Sequence, residues 1–393
     1  MSIFNKFKTM ATARQEIDKM GVDPFDIQID EIISPTEGVI NGQKTILAGT
    51  NNYLGLTFDE DCLSAAHAAL DLEGTGTTGS RMANGSYTGH RMLEHELAEF
   101  YGMRDSIVFS TGYLANLGIL STLAGPDDLV ILDTDCHASI YDGCRLGGAK
   151  FLRFRHNNPD DLAKRMQKIG DQAENTLIII EGLYSMLGDR ALLQEIVDVK
   201  REYGGYLLVD EAHSLGVLGQ RGRGLAEELG LLDDIDFIVG TFSKSLGGSG
   251  GFCVSNHPEL DFIRYMSRPY IFTASPSPVT IATTRQALRT LASGDHLRQR
   301  LQENSQRLHQ RLTALEYTLG ASPSPIISVI FYGKLEAFEF WKDLLQLGIY
   351  VNLMFPPATP HGMYLIRCSV SAAHTTEQID TICSAFEKLK KTS

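Results

Sequence analysis

Seven short apolar runs between residues 106 and 255 constrain this chain more than any other feature: SIVFS, LVILD, AKFLRF, TLIIIEG, GYLLVDEAH, FIVGTFSK and GGFCVS. They have strand length, are rich in Val, Ile and Leu, and for the most part do not alternate with polar residues, as expected of strands covered on both faces. Amphipathic segments such as NPDDLAKRMQKIG and LLQEIVDVKREYG separate them. The expected fold is therefore α/β, with a mostly parallel seven-stranded sheet and helical crossovers. Such a sheet collects ligands at the carboxyl ends of its strands.

The rest of the chain has a different texture. At 393 residues it exceeds the roughly 250–300 at which a single core stops growing. Three regions are expected: an N-terminal helix and hairpin over 1–47, with Asn41-Gly42 at the turn; a large domain over 48–282; and a smaller α+β C-terminal domain over 283–393. A net charge of −13 opposes binding to a polyanion, so nucleic acid is excluded as a main partner. The cysteines Cys62, Cys136, Cys144, Cys253, Cys368 and Cys383 have no CxxC spacing, which fits reduced, buried thiols and no metal site. The N-terminal stretch lacks the apolar core of a secretory signal and no run is long enough to span a bilayer, so a cytoplasmic location is expected, with at most peripheral contact at the inner membrane.

Four features fall at strand ends. Asp210 closes GYLLV, and His213 follows three residues later, beside it if the chain turns there into a helix. Lys244 follows FIVGT and is flanked by Gly240, Gly247, Gly248, Gly250 and Gly251, which supply no solvating side chains and permit close approach of a flat ligand. A lysine in such a place has its pKa depressed and can capture a carbonyl group. The turn Thr111-Gly112 opens a helix near Tyr113 and aims backbone N–H groups outward, which suits a phosphate. His137 follows LVILD. Each residue alone has an ordinary structural explanation, as cap, surface charge or hydrogen-bonded histidine. Together, a phosphate cradle, a stacking histidine, a carboxylate and a loop lysine describe a site for pyridoxal 5′-phosphate, with the carboxylate on the pyridine nitrogen and the lysine holding the aldehyde as a Schiff base.

The stretches DEAHSLGVLGQRGRG, GTFSKSLGGSGGF, CHASIYDG and EGLYSMLGD resemble the α-oxoamine synthases, and the likeness runs from TNNYLGL to IRCSVSAAHT. The resemblance implies a fold-type I, aspartate aminotransferase-like enzyme that condenses an amino acid with an acyl-CoA and releases CO2. It further implies that Lys244 binds the cofactor and later takes the Cα proton, that Asp210 pairs with the pyridinium, and that His137 stacks on the ring and contacts the substrate carboxylate. His213 is implied to bond the phenolic oxygen, with Gly112, Tyr113, Thr241 and Ser243 around the phosphate. Thr273 and Ser275 are implied to reach that phosphate from a second subunit of a homodimer, Arg367 to bind the substrate carboxylate, and Asn52 to lie near the substrate. Glu181 and Ser185 are implied to support these groups.

STGYLANLGILSTLAG, HASIYDGCRLGGA, FLRFRHNN, RPYIFTAS and PPATP are most similar to the branch that joins L-serine to palmitoyl-CoA, giving 3-ketodihydrosphingosine at the start of sphingolipid synthesis. That branch carries an arginine just before PPATP, where this chain has Phe355, and an aromatic residue where it has Asn51. Phe355 shifts carboxylate binding onto Arg367 and His137. The alternatives are a sibling reaction with glycine, alanine or another acyl-CoA, resembling 2-amino-3-ketobutyrate CoA ligase or 8-amino-7-oxononanoate synthase; an aminotransferase; or a non-catalytic partner subunit, a reading opposed by the intact Lys244 loop.

Overall fold

The computed structural model describes residues 2–19 and 21–392. Its strands are β1 (Glu31–Ser34), β2 (Glu37–Ile40), β3 (Gln43–Leu47), β4 (Asp105–Phe109), β5 (Leu129–Asp133), β6 (Lys150–Phe154), β7 (Leu177–Glu181), β8 (Tyr206–Asp210), β9 (Phe237–Thr241), β10 (Gly251–Ser255), β11 (Ile326–Phe331), β12 (Ile349–Tyr350), β13 (Asn352–Met354) and β14 (Tyr364–Ser369). All seven apolar runs form one sheet in the order β4-β10-β9-β8-β7-β5-β6. β10 runs antiparallel to both its neighbours, and the pairs from β9 to β6 are parallel.

Every residue of β7, β9 and β10 is buried, as helices on both faces require, whereas the edge strand β6 exposes Lys150, Leu152 and Arg153. That edge position explains why KFLRF mixes charge with apolar residues while LIIIE does not. Caps start the crossover helices: Thr111 accepts from the Leu114 N–H at 3.0 Å at the head of helix Gly112–Leu123, and Asn158 caps helix Pro159–Ile169.

Asn41 (φ 51°) and Gly42 (φ 74°) make the left-handed turn between β2 and β3 that the Asn-Gly pair demands. This hairpin joins a four-stranded sheet whose last member, β12, comes from the C-terminal region and runs parallel to β3. The smaller C-terminal domain is built on the sheet β11-β14-β13 and helices Asp295–Ala314, Lys334–Gln346 and Thr376–Thr392. The step expected at 282/283 lies inside helix Pro278–Ser293, and Gly294 separates that helix from the next. Among the described residues, no helix is long and apolar enough to cross a membrane.

Candidate active site

The carboxyl ends of the central strands converge on a cleft of about 260 Å³ whose lining includes Gly112, Tyr113, His137, Glu181, Asp210, His213, Thr241, Ser243 and Lys244. Positions far apart along the chain are thus brought to one opening by strand order alone. Glu181 and Asp210 end adjacent parallel strands in direct register, so two carboxylates enter the cleft side by side.

Asp210 is fixed by two donors. Asn116 Nδ2 donates to its Oδ2 at 2.7 Å, and the Ala212 N–H donates to its Oδ1 at 2.9 Å. Glu181 is buried and its pKa is pushed well up, first by loss of solvent and then by the Asp210 carboxylate. Its carboxyl accepts from the His137 N–H, which ties β7 to the turn after β5. Lys244 is half-buried, with its pKa lowered to about 8 by desolvation, which outweighs the attraction of Asp210 and Glu181; Arg367 adds to the lowering.

His137 caps helix Ala138–Gly147, and its Nδ1 lies 2.7 Å from Ser139 Oγ. Its pKa is lowered by desolvation, opposed by Asp210, with Lys244 adding to the lowering. The chain after Asp210 forms a succession of turns rather than a helix, yet still places His213 in the cleft wall, with Nδ1 2.8 Å from the Tyr53 hydroxyl. Desolvation and the cations Lys244 and Arg367 push its pKa well down, so its ring is neutral.

The end of the cleft at Gly112 and Thr241 is shaped by close packing. A Cβ on Gly112 would stand 2.8 Å from Thr241 Cβ, and one on Gly251 would stand 2.6 Å from Gly112 Cα. Thr241 Oγ1 donates to the Gly250 carbonyl at 2.9 Å and lies 2.9 Å from Ser243 Oγ. Helix Gly112–Leu123 has no acidic residue in its first turn to compete with an anion. The glycines after Lys244 have a different reason from the one the sequence suggests. Among the described residues, Gly247, Gly248, Gly250 and Gly251 do not line the cleft. Instead a Cβ on Gly250 would meet the Phe242 ring at 2.4 Å, and Gly247 has φ +63°. They let the loop fold on itself and so hold Lys244 in place.

Arg367 lies on β14, outside this cleft. Its Nε donates to the Ser185 carbonyl at 2.7 Å, Nη1 to Ser369 Oγ at 3.0 Å and Nη2 to Asn51 Oδ1 at 3.2 Å. Asn52 donates to Thr57 Oγ1 at 2.8 Å and keeps a buried Oδ1 without a hydrogen-bond partner among the described residues. Ser185 lines a second cavity of about 820 Å³ that shares His137 with the first. Thr273 and Ser275 also lie outside the cleft of their own chain, where Ser275 Oγ donates to the Gly85 carbonyl at 2.6 Å and lies 2.8 Å from His90 Nε2. Phe355 packs edge-on against Phe25 with ring centroids 5.0 Å apart, so an aromatic pair stands where the branch has a cation.

Two residues escaped the sequence reading. Asn116 bridges Asp210 and Ser139, at 2.7 and 3.0 Å, and its only signal was a polar side chain in the apolar helix GYLANLGILSTL. Tyr53, inside NNYLGL, is fully buried against His213. The donor set fits pyridoxal phosphate: a lysine of depressed pKa, a fixed carboxylate, a neutral histidine, and a cradle of backbone and hydroxyl groups that a Cβ at 112 would fill.

The model of the aminotransferase class I and II family matches residues 43–386. A serine palmitoyltransferase of Caulobacter vibrioides is 55% identical over 389 residues, covering 99% of this chain and 96% of its own. The solved structure of the Sphingomonas wittichii serine palmitoyltransferase superposes with a TM-score of 0.97 at 50% identity, over 100% of this chain and 99% of that one. A variant of the S. paucimobilis enzyme with a bound PLP–myriocin aldimine gives 0.98 at 47% identity, with the same coverage.

Proposed function

Because the chain belongs to the aminotransferase class I and II family of pyridoxal-phosphate enzymes, we propose that it is the acyltransferase that joins L-serine to palmitoyl-CoA, yielding 3-ketodihydrosphingosine, CoA and CO2. The observation that carries this reading is the match to serine palmitoyltransferases over nearly the whole chain, and it is supported by a cleft in which Lys244, with a pKa lowered to about 8, shares the lining with two carboxyl groups.

Bound in the cleft, pyridoxal phosphate supplies an electron sink for charge developing at the amino acid's α-carbon. Gly112, Tyr113, Thr241 and Ser243 would hold its phosphate, Asp210 its ring nitrogen and His213 its phenolic oxygen. Lys244 supplies the amine: with its pKa lowered to about 8, about half of it is uncharged near pH 8, where an ordinary lysine stays almost fully charged, and Nζ can accept the Cα proton. Asp210 is held in place by the hydrogen bonds it accepts from Asn116 Nδ2 and the Ala212 N–H. The substrate carboxylate falls to His137 and Arg367, with Asn52 nearby, since Phe355 offers no charge. Arg367 would reach it through donor capacity left over from its internal bonds, a guanidinium having five N–H groups.

The position of Thr273 and Ser275 outside their own cleft supports a homodimer in which they complete the phosphate site of the partner subunit. A cytoplasmic enzyme in at most peripheral contact with the inner membrane suits a lipid-like product.

The test is a panel in which the holoenzyme receives serine, glycine, alanine or threonine, then palmitoyl-CoA, with CoA thiol release and product mass recorded. Serine-dependent thiol release is expected. A response to glycine or alanine instead would revise the amino acid, and no thiol release with any of the four would refute the acyltransferase reading.

A further inference from the structure

The loop FRHNN, which the mechanism does not use, holds a histidine between two carboxylates. His156 Nδ1 lies 2.9 Å from Asp133 Oδ1, and Nε2 lies 2.8 Å from Asp189 Oδ2. A neutral imidazole has one N–H and could satisfy only one of these acceptors, so the ring is held as imidazolium. The groups facing it agree: Asp133 is wholly buried, Asp135 adds a carboxylate oxygen at 3.9 Å, and the Tyr184 ring stands perpendicular with centroids 4.5 Å apart. Burial alone would discharge the ring, but the carboxylates outweigh it and raise its pKa to about 10.

Both carboxylates sit on segments that lead to the substrate. Asp133 ends β5 four residues before His137. Asp189 belongs to the loop 182–191, closed by the Leu183–Arg190 bridge and by the Tyr184 N–H on the Asp189 carbonyl at 2.9 Å. In that loop the Ser185 carbonyl takes Arg367 Nε, and the Met186 carbonyl takes Ser328 Oγ at 2.5 Å; Ser328 is the cross-strand partner of Arg367. Asn157 reinforces the join, with its N–H on Asp133 Oδ2 at 2.8 Å and Nδ2 on the Arg190 carbonyl at 2.7 Å.

We propose that His156 is a positioning residue for the amino-acid carboxylate: its doubly bonded ring clamps the segment bearing His137 to the loop that braces Arg367. This rests on the assignment of His137 and Arg367 to the carboxylate made above. The clamp touches neither Lys244 nor the phosphate cradle, so serine binding should respond to it far more than cofactor loading.

The experiment titrates holoenzyme with L-serine, read by the visible spectrum, in the wild type, His156→Gln, and the double variant His156→Gln/Asp189→Asn. The single substitution leaves the Asp189 charge uncompensated, so serine should bind about tenfold more weakly, with cofactor content unchanged and kcat at saturation within about threefold. Adding Asp189→Asn removes that charge and supplies an amide that can pair with the introduced glutamine, returning the affinity to within about threefold of wild type. Wild-type affinity in His156→Gln, or a double variant no better than the single, would overturn the clamp. An Arg367→Lys titration separates the two claims: unchanged affinity there sinks the carboxylate assignment, whereas weakened affinity there with none in His156→Gln sinks only the clamp. Should His156→Gln fail to fold, nitrogen NMR of the wild type at pH 8 decides, since a ring with a single N–H is incompatible with the clamp.

Discussion

The lysine on which the chemistry depends should destabilise the protein that carries it when the cofactor is removed. Lys244 has its pKa lowered from 10.5 to about 8, chiefly by desolvation. That difference between folded and unfolded chains corresponds to about 3 kcal/mol against folding wherever the group is charged in both states. The sign follows from proton binding. Below pH 8 both states are protonated and the full penalty applies; between 8 and 10.5 the unfolded chain holds more protons, so stability rises with pH; above 10.5 the penalty is gone. His156 opposes this trend, because its raised pKa gives stability that is present below 6.5 and lost as pH rises through about 10. The difference between two proteins therefore isolates Lys244. Replacing it by Met keeps the chain length and removes the charge, so the Lys244→Met apoprotein should be more stable than wild-type apoprotein by about 3 kcal/mol at pH 7, with the gap shrinking steadily to near zero above pH 10.5. Urea denaturation of both at half-unit pH steps gives the curve. A gap that is absent at pH 7, or that does not change with pH, would refute the desolvated-amine account.

Other consequences are read more directly. Gly112→Ala puts a methyl 2.8 Å from Thr241 Cβ, so cofactor affinity should fall by about tenfold or more while the apoprotein remains folded, as equilibrium dialysis with pyridoxal phosphate would show. Asn116→Leu strips a 2.7 Å hydrogen bond from Asp210 and should lower kcat/KM by about 10- to 100-fold with cofactor still bound, whereas Asn116→Asp, which replaces that donor by a further carboxylate against Asp210, should be worse in steady-state assays. Tyr53→Phe removes the hydroxyl from His213 Nδ1 and should cost about 1–3 kcal/mol in denaturation experiments, since both groups are buried.

Local pattern and chain chemistry determined much of this protein by themselves. Continuous apolar runs can be stable only as strands covered on both faces, and Asn41-Gly42 can close β2 onto β3 because both residues tolerate positive φ. The order Gly112, His137, Asp210, Lys244 along the chain was legible because a parallel sheet sends every strand end to the same edge. What the tertiary structure alone decided is of another kind. The insertion of antiparallel β10 between β4 and β9, and the pairing of β12 with β3, depend on which distant strand offers unpaired N–H and C=O groups. The glycines beside Lys244 serve the loop's own packing against Phe242 and Gly112, which becomes visible only when those neighbours are in contact. The raised pKa of Glu181, the neutral ring of His213 and the charged His156 clamp follow from desolvation and from carboxylates or cations delivered by other strands. A pKa belongs to an environment, and the fold makes the environment.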